Sequence, residues 1–434
     1  MFFRWLTAVL LVPVFTTLAE PAKVVSLTPT NGAVNVPVGL TNLVIEFDQD
    51  MRSGFSVTGG GPTFPKITGK LQWATPRRLI VPVELRPGHD YRFGINSRSA
   101  RNFRNLAGEP TEPVTVMFRT EGQAGTALTN APAMTAELQR IIREHYSYRD
   151  RLVSDWDARL ATAWPGLTNA VTDVAFADEA VKLLAAADDP HLTVVVGDHR
   201  LGTTTRTLRP NADFRRLARL VPGWREVNRT VATGRFPDGI GYLLISTWGG
   251  SEADVAPALA TLDEWKAAGV RGVIVDVRFN GGGDEQQARS VAGRFTATNV
   301  VYARHRTRDP AEPGGWSQVR TRVLRAEADA TRHFAGKVAV LMGPKCMSSN
   351  EAFLLMMRAT GARLFGERSA GSSGNPKRFD LGGGVSLSVP SWEALDAAGI
   401  GIEGRGIAPD EVVPFKPSSD IDGVPDAALK WLRE

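Results

Sequence analysis

Hydrophobic positions along the chain follow one pattern up to about residue 121 and another beyond it. From residue 20, apolar residues come in short runs: Val24-Val25-Ser26-Leu27, Leu43-Val44-Ile45-Glu46-Phe47, Arg78-Leu79-Ile80-Val81-Pro82-Val83 and residues 114–118. Turn residues separate them, at Pro29-Thr30-Asn31-Gly32, Gly59-Gly60-Gly61-Pro62 and Pro87-Gly88. Short runs at this spacing, with no helical stretch among them, predict a β-sandwich over 20–121. A Gly, Ala and Thr-rich stretch, 122–133, then reads as a linker.

From about Met134 the period lengthens. Leu138, Ile141, Ile142 and Tyr146 recur at helical spacing, and further helices are predicted over 156–164 and 178–187. Residues 134–198 therefore form a small helical part. Beyond Gly241 strands and helices alternate. Ile240-Gly241-Tyr242-Leu243-Leu244-Ile245 is a strand, 253–268 a helix with Pro257 near its first turn, and Gly272-Val273-Ile274-Val275-Asp276-Val277 a strand apolar on both faces. Lys337-Val338-Ala339-Val340-Leu341-Met342 is another strand, and 351–360 a helix stopped by Gly361. This alternation predicts a layered α/β core over 199–434. The fold class is multidomain: a sandwich, a small helical subdomain and an α/β core.

Composition narrows the function. The net charge of +5 is spread without a dense Lys/Arg run interleaved with aromatics, which argues against nucleic acid as a partner. Residues 1–19 read as an export signal: Arg4 is the positive end, 5–15 is apolar but short for a membrane span, and Thr17-Leu18-Ala19 offers small residues for cleavage before Glu20. A retained anchor is the alternative; with cleavage, the expected location is secreted or periplasmic. Cys346 is the sole cysteine, so neither an intramolecular disulfide nor a cysteine-built zinc site can form.

Four segments carry candidate chemistry. Lys337 to Met342 runs through Gly343-Pro344-Lys345-Cys346-Met347 into Ser348-Ser349-Asn350-Glu351 and a helix, placing a serine at a strand–turn–helix junction beside free helix N–H groups. Taken alone, Ser348-x-x-Glu351 reads more readily as a helix capping box, which most such matches are. Asp276-Val277-Arg278-Phe279-Asn280-Gly281-Gly282-Gly283 follows the central strand, where glycines let a backbone N–H approach a ligand; a flexible or phosphate-binding loop is the rival reading. His191, between a helix and the strand Val194-Val195-Val196, is a candidate general base or an idle loop histidine. Glu403, in Glu403-Gly404-Arg405-Gly406-Ile407-Ala408-Pro409-Asp410, is a candidate to orient a histidine or a residue of a surface turn.

Together these segments resemble the tail-specific, C-terminal-processing and tricorn-core serine peptidases. Asp276 to Gly283 matches that family's Asp-Leu-Arg-x-Asn-Gly-Gly-Gly oxyanion loop with Val277 in the Leu place, and Ser348 stands three residues ahead of the helix-opening Glu351. Gly366-Glu367-Arg368-Ser369-Ala370-Gly371 echoes its Gly-Glu-x-Thr-x-Gly turn, and 403–410 matches its terminal motif. Two departures select a branch. Ser372 stands where the dyad enzymes carry a lysine, and too few residues separate Thr193 from Gly241 for a PDZ domain. Asp189-Pro190-His191 instead fits the PDZ-less branch, whose base is a histidine. Separately, 29–38 and 45–51 resemble bacterial Ig-like domains, which act as spacers or adhesion modules.

The resemblance implies a crotonase-like layered core and a secreted serine endopeptidase acting through an acyl-enzyme. Ser348 would be the nucleophile and His191 the base. Glu403 would hold His191 directly or through another hydroxyl, and the N–H of Ser349 with that of Gly281 or Gly282 would form the oxyanion hole. No metal or organic cofactor is implied, and the expected partner is a polypeptide substrate, with cell-envelope contact through the Ig-like domain as a possibility. The rival functions are a non-catalytic member of the fold that binds an apolar ligand or peptide, and an adhesion or cell-envelope module.

Overall fold

A computed structural model describes residues 20–434 apart from 62, 98, 123, 124, 198 and 418. The export signal read over 1–19 lies outside the described residues. The described residues divide into two compact units, one ending at 127 and the other spanning 128–434.

In the first unit, strands Val24–Thr28, Asn42–Phe47, Arg78–Glu84 and Lys66–Ile67 lie side by side, with Gln72–Thr75 also on Arg78–Glu84. A second sheet orders Ala33–Val36, Val114–Thr120, Asp90–Ile95 and Val57–Thr58. Alternation decides what is inside. Leu43, Ile45 and Phe47 of one sheet meet Tyr91, Phe93 and Ile95 of the other in a single core, while the residues between them point outward. The unit is thus two sheets closed over one apolar layer.

The second unit starts inside the expected linker: Leu128 packs on its core and the helix Ala131–Glu144 begins before position 134. That helix, with Trp156–Thr168 and Asp173–Leu184, covers an antiparallel sheet ordered His199–Gly202, Thr193–Val196, Val385–Pro390, Pro376–Gly382. Segments on either side of position 198 therefore share one sheet, which sequence order alone does not reveal.

The centre of the unit is a seven-stranded sheet. Its parallel part runs Ile240–Ile245, Gly272–Asp276, Lys337–Met342, Arg363–Gly366 and Glu411–Val412, extended by the antiparallel Val231–Arg235 and Arg225–Glu226. Both faces are covered. Val273, Val275, Val338 and Val340 pack under helices Glu252–Ala267, Glu285–Ala292 and Ser349–Ala359. Ile274, Ala339 and Leu341 face Phe214–Leu220 and the last helix, Gly423–Arg433. This two-sided burial is why these strands read as continuous apolar runs. Pro257 sits in the second turn of its helix rather than the first. A three-stranded sheet, Arg320–Leu324, Val300–Thr307, Trp392–Asp396, completes the unit. No helix among the described residues is long and apolar enough to cross a membrane.

Candidate active site

The strand Lys337–Met342 ends in a turn that delivers Ser348 to the start of the helix Ser349–Ala359. Ser348 has φ 58° and ψ −131°, a backbone state that side-chain-bearing residues avoid and that strained functional turns retain. Its hydroxyl makes no capping bond to the helix. The Ser348 side-chain half of a capping box is therefore absent, and Glu351 accepts from the Ser369 hydroxyl at 2.6 Å and the N–H groups of Gly371 at 2.8 Å and Ser372 at 3.0 Å. Burial pushes its carboxyl up to about 7, against the pull of those donors.

The glycine loop abuts this turn. A Cβ on Gly282, whose φ is +106°, would stand 2.9 Å from both Met347 O and Ser348 Cβ, so glycine is required for the approach. The N–H of Gly282 is not available to a substrate, because it donates to Asn280 Oδ1 at 2.8 Å. This corrects one of the two expected loop donors. Gly281 and Ser349 line the open cleft next to Ser348, and the Ser349 N–H, first in its helix, has no intrahelical acceptor. Asn350 locks loop to helix by donating to the carbonyls of Val277 and Asn280.

His191 lies on the same cleft, a cavity of about 1380 Å³ that also includes Ser348. Asp189 fixes its turn, accepting from the His191 N–H at 2.9 Å and from the Tyr146 hydroxyl at 2.8 Å. The ring itself meets Ser372: Nδ1 and Oγ are 2.8 Å apart. The Ser372 carbonyl in turn accepts the Ser348 N–H at 2.7 Å. Ser372 thus touches both the His191 ring and the Ser348 backbone. Burial, aided by the nearby Arg200 guanidinium, lowers the His191 pKa to about 4, which keeps the imidazole neutral at neutral pH.

Glu403 is placed differently from expectation. Its Oε2 accepts from the Ser373 N–H at 2.7 Å and the Ser373 hydroxyl at 3.2 Å, and among the described residues no hydrogen bond joins it to His191. The reason is local: adjacent serines point to different partners, Ser372 to the histidine and Ser373 to the glutamate. Tyr148 closes the second arm, bonding Ser373 Oγ at 2.9 Å. Burial, and then the neighbouring charge of Asp189, push Glu403 well above the usual carboxylate range.

Arg278 is fully buried in an ion-pair network, with Nη2 2.8 Å from Asp276 Oδ2 and Nη1 2.8 Å from Asp422 Oδ2. It braces the loop and does not reach the cleft. Cys346 is buried, its thiol directed at Val277 O and pushed up to about 12 by desolvation, so it offers no thiolate. No group of three or more His, Cys, Asp or Glu suited to a metal exists among the described residues.

Residues 239–413 match the family model described as Peptidase family S41. The chain carries a peptidase family S41 domain. It is accordingly a serine-type peptidase. Among solved structures, a protein of Parabacteroides merdae described as a candidate peptidase is similar at 21% identity and TM-score 0.61, over 71% of this chain and 98% of that one. A lipoprotein from Streptococcus agalactiae aligns at 14% identity and TM-score 0.48 (72% and 99%), and the photosystem II D1 C-terminal processing protease at 16% and 0.44 (67% and 95%). A comparison with curated proteins finds no significant match.

The S41 match contains Ser348, Gly281 and Glu403 but begins after His191, so the histidine's place rests on the fold. The sequence assigned no role to Ser372 or Tyr148, and to Glu351 only that of opening or capping its helix. The signal that could have found Ser372 was its register: a polar residue directly after the Gly366 to Gly371 turn, where the dyad enzymes need their base.

Proposed function

We propose that this S41 peptidase is a secreted endopeptidase that cleaves polypeptides through an acyl-enzyme on Ser348, with His191 as general base. Ser348 Oγ attacks the scissile carbonyl carbon while His191 Nε2 takes its proton; the imidazolium then protonates the leaving amine as the peptide C–N bond breaks. Water, deprotonated by the same ring, hydrolyses the ester. The N–H groups of Ser349 and Gly281 are suited to receive the oxyanion, a contribution typically worth about 100-fold or more per donor. Glu403 acts at a remove, bracing the turn that carries Ser373. In this reading 1–19 direct export, 20–121 serve as an Ig-like spacer, and the reaction uses no metal or organic cofactor.

The observation that carries the reading is the strained backbone of Ser348, facing the cleft that His191 also lines. A peptide-library digest tests it. The wild type should yield cleavage products that Ser348→Ala and His191→Ala do not. Equal product from either variant would overturn it.

A further inference from the structure

The functional reading leaves open what sets the tautomer of the base. A histidine that takes a proton on Nε2 must carry its own hydrogen on Nδ1, and a second group must hold that hydrogen. Among the described residues, neither nearby carboxylate hydrogen-bonds the His191 ring. Asp189 accepts the Tyr146 hydroxyl and the His191 backbone N–H, and Glu403 accepts Ser373. Arg200 is a donor and cannot accept. The atom within reach of Nδ1 is Ser372 Oγ, at 2.8 Å, with both residues buried.

We propose that Ser372 is the positioning residue for His191: its hydroxyl oxygen accepts the Nδ1 hydrogen and leaves the Nε2 lone pair for Ser348. This rests on the assignment of Ser348 and His191 above. Ser372 is itself held from three directions. Its N–H goes to Glu351 Oε2 at 3.0 Å, its carbonyl receives the Ser348 N–H at 2.7 Å, and the preceding Gly371 N–H is tied to Glu351 Oε1 at 2.8 Å. The buried Glu351 carboxylate, one helical turn past the nucleophile, therefore fixes the distance between base and nucleophile through a single residue. An orienting hydroxyl also differs from an orienting carboxylate in its electrostatics. It offers a dipole, not a full charge, so it aligns the ring without much raising the imidazolium's stability. The low pKa of His191, set by burial and Arg200, is consistent with an anchor of that kind.

The test compares Ser372→Ala, Ser372→Thr and Ser372→Asp in the full chain, with fluorophosphonate labelling of Ser348 as an independent gauge of the parent reading. In Ser372→Ala, kcat should fall by about 10²-fold with KM nearly unchanged. Ser372→Thr keeps the hydroxyl and should recover most of that loss. Ser372→Asp replaces the dipole by a charge and should move the acid limb of kcat/KM upward from its wild-type position, which a merely structural role would not do. Labelled wild type with Ser372→Ala at full kcat, or with the acid limb of Ser372→Asp unmoved, overturns this inference alone. Wild type that neither cleaves peptides nor takes the label overturns the parent reading instead. Should Ser372→Ala fail to fold by its thermal melt, the Thr and Asp variants decide.

Discussion

Two buried clusters of charge stand in the 128–434 unit, and they are built on opposite principles. Around Arg278, one guanidinium lies between two carboxylates, Asp276 and Asp422, with the Tyr242 hydroxyl and the Asn211 carbonyl completing the set. Behind the cleft, Glu351 is held by a hydroxyl and two amide N–H groups, and Glu403 by Ser373 alone, with Oε1 left without a partner. Neither makes an ion pair among the described residues. The first cluster buries charge by compensating it, and its task is to hold the glycine loop in place. The second leaves charge under-compensated, so its groups titrate in an unusual range. Under the proposed function, the uncompensated carboxyls lie behind the reacting groups and the compensated cluster braces the scaffold.

The comparison breaks most sharply at His191. His191→Ala should lower peptidase activity by about 10³-fold or more, whereas Ser348→Ala should do the same without lowering the thermal melt. Arg278→Ala attacks the other cluster and should destabilise the fold by about 3–5 kcal/mol in denaturant melts, since two buried carboxylates lose their cation.

A pH titration of stability sharpens the contrast. The Glu351 pKa is raised from 4.5 to about 7, so its contribution is fully present below pH 4.5 and is lost as pH rises through 7. Relative to Glu351→Gln, the wild type should lose up to about 3 kcal/mol across that window. His191 has the opposite sign: its pKa is lowered from 6.5 to about 4, so its stabilisation is present above 6.5 and fades as pH falls through 4. The two slopes oppose each other, and the Gln variant should unmask the histidine's. The smallest effect belongs to Cys346→Ala, which should cost about 1 kcal/mol and leave kcat within a few-fold of wild type, because the thiol is buried and protonated.

How far the sequence reveals these features follows from physical range. The strands Gly272–Asp276 and Lys337–Met342 and the helix Ser349–Ala359 are legible because burial on both faces leaves an unbroken apolar signature. The strands Val300–Thr307 and Arg320–Leu324 are not. Their arginines belong to a cleft wall where Arg322 stacks near Tyr302 and Trp392 and pairs with Glu285, so charge interrupts the pattern. Ser348 and Ser349 stand out in the sequence at a strand–turn–helix junction, and Gly281 in a glycine run, because both signals are local. The partners of Glu403 and His191 do not, because the choice between Ser372 and Ser373 depends on contacts closed over 30 and 181 residues of sequence. The alternation of adjacent side chains then sent the glutamate to one serine and the histidine to its neighbour.

The most direct test of the central claim is mass-spectrometric mapping of a fluorophosphonate adduct on the intact protein. The account predicts one adduct per chain, on the peptide containing Ser348, absent from Ser348→Ala and formed far more slowly in His191→Ala. No adduct on folded wild type, or an adduct carried by another serine, would contradict it.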